Sequence, residues 1–246
     1  CSAAISACDG GGQWQRALVL FDAMPRLAVE PNAVSCSALI GACEKGGQWQ
    51  LAVALFLSMR ELRIAADAVG CTATIGACEA EGQWQPAIAL FESLPQLRLS
   101  ASAASCSSTM SACGRAGQWL RSLHFFGSLG QRRVPPTVVV RNAAISACEK
   151  VAKWEKALAL FASADRDVIS CNALVSAFEK AGQWQRALQM LAMMPELEVA
   201  PDVVSFNAAI SALEKGGQWQ LALALFDSVR EDRVVLTDVS FNAVLS

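Results

Sequence analysis

Apolar positions along the chain follow helical spacing in short stretches and then break off at glycine. In residues 203–237, VVSFNAAISALEKGGQWQLALALFDSVREDRVVLT, Phe206, Ile210 and Leu213 step by four and three, so they share one face of a helix about 12 residues long. Beyond Gly216 and Gly217 a second stripe follows: Trp219, Ala222, Leu223, Phe226 and Val229. The stretch predicts two helices joined by a tight turn, because glycine tolerates the positive backbone torsions that end a helix.

The same pattern runs through the whole chain. GQW recurs at Trp14, Trp49, Trp84 and Trp119 in steps of 35, and Trp154, Trp184 and Trp219 follow at steps of 35, 30 and 35. The units this defines are 1–32, 33–67, 68–102, 103–137, 138–167, 168–202 and 203–237, with a partial unit at 238–246. The short step arises in FASADRDVISCN, which predicts a tight link over residues 162–169. Pro31, Pro136 and Pro201 near unit ends discourage the second helix from continuing, and Pro86 is expected in the first turn of its helix. One place in the second helix carries Ala17, Ala52, Ala87, Ala157, Ala187 and Ala222, with Ser122 as the departure, which predicts close helix approach. Neither helix of a unit can bury its stripe alone. Stacked units can, so the fold class is all-α, a solenoid of antiparallel helix pairs with first helices lining a groove and the tryptophans packing between helices.

Composition narrows the chemistry. With 54% hydrophobic residues, 17% charged residues and a net charge of -2, the chain can bury a core, and it is not a strongly basic domain. No run reaches the roughly 18 apolar residues of a membrane span; LAVALFL at 51–57 covers about two turns. The chain opens on Cys1 and stops at Ser246, each inside a repeat, so it reads as a fragment whose lack of a targeting segment is silent on compartment.

Ten cysteines invite a metal or disulfide reading, since Cys1/Cys8, Cys36/Cys43, Cys71/Cys78 and Cys106/Cys113 repeat C-x6-C. Seven residues of helix rise about 10 Å, too far for both thiols to meet at one ion or bond. Phe178, Phe206, Leu213 and Phe241 occupy these places in later units, which is what packing sites permit; Arg141 is expected to cover apolar surface with its stem. His124 stands alone without a ligand pattern, and the Gly-Gly turns lack the strand and lysine of a phosphate loop. No cofactor, metal site or catalytic residue is expected.

Two polar sets recur with changing identity. Ser2, Ser37, Thr72, Ser107, Asn142, Asn172, Asn207 and Asn242 precede each first-helix core, and Asn32, Asp67, Ser102, Thr137, Asp167, Asp202 and Thr237 stand near unit ends. The first set could cap helix starts, accepting bonds from free N–H groups. Alternatively, both sets face the groove and present donors and acceptors to one base edge per unit. Val34, Val69, Ala104, Val139, Ile169, Val204 and Val239 would then supply apolar surfaces between stacked bases.

CSALIGACEKGGQWQLAVALFLSM, RNAAISACEKVAKWEKALALF and SFNAAISALEKGGQWQLALALFDSV, with Pro-Asn or Pro-Asp ending units, resemble the pentatricopeptide repeat family over nearly the whole chain. The resemblance implies a right-handed superhelix that binds single-stranded RNA at about one base per repeat. It further implies adenine for Ser2 with Asn32, guanine for Ser37 with Asp67, and uracil for Asn142 with Asp167 and for Asn172 with Asp202. Thr72 with Ser102, Ser107 with Thr137, and Asn207 with Thr237 depart from the strongest family combinations. The implied track is A-G-N-N-U-U-N. An organellar role in chloroplast or mitochondrion, in RNA processing, stability or translation, is implied in the same way.

Lys45, Arg115, Lys150, Lys180 and Lys215 recur at first-helix ends and could meet phosphates, with Gly10 and Ala80 interrupting the stripe. Their acidic neighbours Glu44, Glu79, Glu149, Glu179 and Glu214 predict modest, salt-sensitive binding. The alternative partner is protein: the solenoid as a scaffold for an extended peptide or partner helices. No unique acid, base or metal cluster points to an enzyme.

Overall fold

The computed structural model describes residues 2–62, 64–131, 134–162 and 166–231, without the side chains of 60 and 229–231. Thr237, Val239 and Asn242, the partial last unit and part of the 162–169 link therefore lie outside the described residues. Two compact units divide at the 136/137 junction.

In the first unit the helices are α1 (Ser2–Gly10), α2 (Trp14–Ala23), α3 (Ala33–Lys45), α4 (Trp49–Glu61), α5 (Ala68–Ala80), α6 (Trp84–Ser93), α7 (Ala103–Arg115) and α8 (Trp119–Gly127). In the second they are α9 (Val138–Glu149), α10 (Trp154–Phe161), α11 (Val168–Lys180), α12 (Trp184–Met193), α13 (Val203–Lys215) and α14 (Trp219–Glu231). Within each unit, successive first helices pack side by side: α1 on α3, α3 on α5 and α5 on α7, and likewise α9 on α11 and α11 on α13. Second helices wedge against their own first helix and the next one, as α4 does against α3 and α5.

The GQW motif is a helix stop followed at once by a helix start. The glycine before glutamine takes a left-handed torsion, φ +67° at Gly47, and the next two N–H groups fold back on the ending helix: Gly47 N–H to Glu44 O at 3.2 Å and Gln48 N–H to Cys43 O at 2.9 Å. This two-bond closure satisfies carbonyls that the helix end leaves without partners. Tryptophan is then the first residue of the next helix. Pro86 sits third in α6, inside its first turn as expected.

The alanine stripe is buried throughout, with Ala17, Ala52, Ala87, Ala157 and Ala187 all at 0% exposure. Cys36, Cys43, Cys71, Cys78, Cys106, Cys113, Cys148 and Cys171 are buried and free. Burial pushes the thiols of Cys43, Cys71, Cys78, Cys113, Cys148 and Cys171 up to about 11, which leaves them protonated near neutrality. Among the described residues no group of three or more His, Cys, Asp or Glu could hold a metal ion, and no helix is long and apolar enough to cross a membrane.

One expected stripe needs correction. In α14 Trp219 is 63% exposed and Leu223 is exposed, while Ala222 and Phe226 pack with Ile210 and Leu213, joined by Leu225 and by Trp184 of the preceding repeat. A tryptophan at the start of a second helix leans onto the following repeat's turn: a Cβ built at Gly216 would collide with the Trp184 ring, and one at Gly46 with that of Trp14. Trp84 and Trp154 instead receive arginines of the next repeat, Arg121 at 4.3 Å and Arg186 at 3.8 Å from the ring centroids.

Candidate nucleic-acid interface

Helix-start chemistry belongs to the second polar set, and the first set does not provide it. Asn32, Asp67, Ser102, Thr137, Asp167 and Asp202 are the residues just before α3, α5, α7, α9, α11 and α13, and each side chain accepts from the backbone N–H three residues on. Ser37, Thr72, Ser107, Asn142, Asn172 and Asn207 lie inside those helices, in the second turn, where backbone N–H groups already have helical partners. Four buried serines complete the caps. Ser35, Ser105, Ser170 and Ser205 return a hydroxyl to the backbone N–H of the cap residue, forming a reciprocal box. Helical spacing alone does not single out these serines, although the run Asn/Asp/Ser-x-x-Ser carries their signature.

Three of the polar pairs are joined by hydrogen bonds between the first helix of a repeat unit and the residue that ends the same unit. Ser37 Oγ donates to Asp67 Oδ1 at 2.8 Å. Asn142 Nδ2 donates to Asp167 Oδ2 at 2.8 Å, and Asn172 Nδ2 to Asp202 Oδ1 at 3.0 Å. Each aspartate thus serves the start of the next repeat unit's first helix and a side chain of its own unit. In the last pair the Ser205 hydroxyl also donates to Asn172 Oδ1. Burial works to raise the Asp202 pKa, but donors from the Ser205 backbone, Asn172, the Ser205 hydroxyl and the Val204 backbone outweigh it and hold the carboxyl below its ordinary value. Gly70 is placed where a Cβ would lie 2.7 Å from Ser37 Oγ, so the Ser37 to Asp67 contact depends on a glycine there.

Other predicted residues are engaged differently. Thr72 Oγ1 donates to the Ala68 carbonyl at 2.7 Å, and Ser107 Oγ to that of Ala104 at 2.9 Å, both within their own helices. Ser102 Oγ contacts Ser105 Oγ at 3.2 Å. Ser2 is the first residue of α1.

The described members of the apolar set are mostly exposed to solvent. Val34 is 61% exposed and Val69 69%, and Val139, Ile169, Val204 and Ala104 are likewise exposed. Each is the second residue of its first helix and stands three before the polar residue, so the two share a helix face. A cavity of about 470 Å³ beside α3, α5 and α7 is lined by Glu44, Val69, Thr72 and Ser108, which places Val69 and Thr72 on one surface.

The cations form a ladder with acids of the preceding repeat. Lys45 Nζ lies 2.9 Å from Asp9 Oδ1, Lys180 Nζ 2.7 Å from Glu149 Oε1, and Lys215 Nζ 2.7 Å from Glu179 Oε1. Arg115 reaches the Ala80 carbonyl at 3.5 Å, and Lys150 ends α9. The lysines remain between 39% and 50% exposed while the glutamates are at 16%, so the ammonium groups are the accessible side of the ladder. His124 is exposed in α8.

A family model described as PPR repeat family matches residues 166–213, and one described as PPR repeat matches 34–64 and 204–234. No curated protein matches the chain's sequence. Among solved structures, the chain is similar to the pentatricopeptide repeat protein PPR10 in complex with an 18-nt psaJ RNA element, at a TM-score of 0.83 and 19% identity over 99% of this chain and 36% of that one. A structure of PPR10 from maize gives a TM-score of 0.64 at 19% identity, over 99% of this chain and 41% of that one. The chain therefore spans well under half the length of the proteins it resembles. Models of the PPR repeat thus match residues 34–64 in the first compact unit and 166–234 in the second, and the antiparallel helix pairs have a fold similar to that of PPR10.

Proposed function

We propose that the chain binds single-stranded RNA, with each helix pair offering one base a two-residue polar edge and an exposed apolar side chain. The observation that carries this reading is the closed polar pair beside an exposed valine or isoleucine, because a fold has no need of both on its surface. Hydrogen-bond accounting supports the base assignments. Asp67 Oδ1 accepts the single Ser37 proton, so Ser37 turns lone pairs outward, which suits the N1–H and N2–H donors of guanine. Asp202 likewise forces the Asn172 amide to face it with nitrogen, and Ser205 occupies the Asn172 oxygen. One amide N–H is left over, a donor for a uracil carbonyl. Asn142 with Asp167 repeats the amide-to-carboxylate contact.

The exposed ammonium groups of Lys45, Lys180 and Lys215 would draw phosphates while trading part of an ion pair, which keeps affinity modest and salt-dependent. By extension from the family, the setting is an organelle, where occupying a single-stranded site blocks nucleases, opposes hairpins or positions other factors. The test is binding of labelled RNAs fitting A-G-N-N-U-U-N against shuffled RNA, the same sequence as DNA, and duplex, over a salt series. Tighter binding of the matching single strand, weakening as salt rises, is expected; equal weak binding to all four contradicts the reading.

A second reading, docking of a peptide, has one observation in its favour. In the second unit the short α10 leaves an apolar cavity of about 330 Å³ lined by Leu158, Phe161, Met190, Met193 and Leu197, with Arg166 and Arg186 at its edge.

A further inference from the structure

The repeat at 68–102 interrupts the lysine ladder, and the interruption leaves a carboxylate in the groove. Its helix α5 ends in Ala80 where α3, α11 and α13 end in lysine. Asp9, Glu149 and Glu179 each receive a lysine from the following repeat, but Glu44 has Ala80 there. Glu44 leans instead over Gly76, whose missing side chain makes room: a Cβ there would collide with Glu44 Oε1. From this place the carboxylate lines the cavity of about 470 Å³ together with Val69, Thr72, Ala73 and Ser108.

Thr72 and Glu44 turn acceptors toward this cavity, and the Ser108 hydroxyl can donate or accept. The Thr72 proton goes to the Ala68 carbonyl, so toward the cavity Thr72 turns lone pairs. Glu44 adds two carboxylate oxygens, and burial, followed by the nearby Asp9 carboxylate, pushes its pKa up, with Lys45 opposing and Glu79 reinforcing the rise. A paired set of donors from a ligand would relieve both. Among the bases, guanine alone carries two adjacent donors, N1–H and N2–H, on its pairing edge. Adenine and cytosine set a ring-nitrogen acceptor beside their amine, and uracil flanks its N–H with carbonyls; each would bring a lone pair against the carboxylate.

We infer that Glu44, at the end of the second repeat unit's first helix, is a specificity-determining residue for the base at the third repeat, taking guanine by a two-point contact to its N1–H and N2–H while Val69 covers the ring. This rests on the RNA-binding reading and assigns a base that Thr72 with Ser102 leaves open.

The experiment uses the full chain and four RNAs, A-G-X-A-U-U-A with X as A, C, G or U, together with a control in which both uracils are replaced by adenine. The wild-type chain is expected to bind the X = G RNA at least about tenfold more tightly than the others, and Glu44→Gln to abolish that preference while keeping the penalty for the control RNA. Gln keeps the shape of Glu, and far-UV circular dichroism checks that the variant is folded. If X has no effect, or if Glu44→Gln retains the guanine preference, while the control RNA still binds weakly, the Glu44 assignment fails and the array reading stands. If the control RNA binds as well as the rest, the array reading fails and takes the assignment with it.

Discussion

Asn172 Nδ2 lies 3.0 Å from Asp202 Oδ1, and the same oxygen accepts the Ser205 N–H at 3.0 Å. One carboxylate therefore starts α13 and orients an amide in α11. The two roles separate by mutation. Asp202→Ala removes both and should cost about 1 kcal/mol of stability, the usual value of a helix cap, whereas Asp202→Asn keeps a good cap and should stay close to wild type. Urea unfolding followed by tryptophan fluorescence measures this, and equal losses for the two variants would show that the cap contributes little.

The same carboxylate carries a pH dependence. Its folded pKa lies below the ordinary value, so its stabilising contribution is full above the ordinary carboxylate range and disappears as pH falls through the folded value. Replacing it with asparagine should make stability fall less steeply between about pH 5 and pH 2. Identical slopes for wild type and Asp202→Asn in urea midpoints over that window would contradict the hydrogen-bonded carboxylate.

Ser122 stands at 0% exposure where six other repeats have alanine, and its hydroxyl has no hydrogen-bond partner among the described residues. A buried hydroxyl without a partner is destabilising, so Ser122→Ala should stabilise the chain by about 1 kcal/mol. A midpoint that falls in thermal or urea unfolding would mean that the hydroxyl is satisfied.

Ala152 takes φ +54°, the left-handed torsion that Gly12, Gly47, Gly82, Gly117, Gly182 and Gly217 take in the other repeats. An L side chain is strained there by roughly 1–2 kcal/mol, partly offset by the chain entropy that glycine adds to the unfolded state. Ala152→Gly should raise stability by about 0.5–1 kcal/mol, and Gly182→Ala, where a Cβ meets nothing within 4 Å, should lower it by a like amount. Shifts of the opposite sign in the two variants are the signature; shifts of the same sign would point to packing.

The helices were legible because their determinants are local. Apolar spacing sets each amphipathic face, and glycine before Gln-Trp closes one helix and opens the next, so α13 and α14 could be read from residues 203–237. The division of labour between the polar sets was not. Ser, Thr, Asn and Asp all cap helices, and which set does so turns on where each helix begins: α3 begins at Ala33, immediately after Asn32, leaving Ser37 in the second turn. The ladder was hidden for another reason. Glu179 and Lys180 are neighbours in sequence, yet Lys180 pairs backward with Glu149 and Glu179 pairs forward with Lys215, contacts that only stacking creates. Trp219 looked like its six counterparts in sequence, yet it is 63% exposed where they are partly buried.

The central claim is that a hydrogen-bonded pair reads a base by what it leaves free, and a single substitution tests it. In Asp202→Asn one oxygen still caps α13 and accepts from Asn172, while an amide nitrogen replaces the second oxygen, so the pair offers a donor, suited to the N3 acceptor of cytosine, where the carboxylate offered an acceptor, suited to the N3–H of uracil. Measured on A-G-G-A-U-X-A, the wild-type chain should prefer X = U over X = C by about tenfold, and Asp202→Asn should reverse the order in favour of cytosine. An unchanged preference for uracil, with binding retained, would contradict the account.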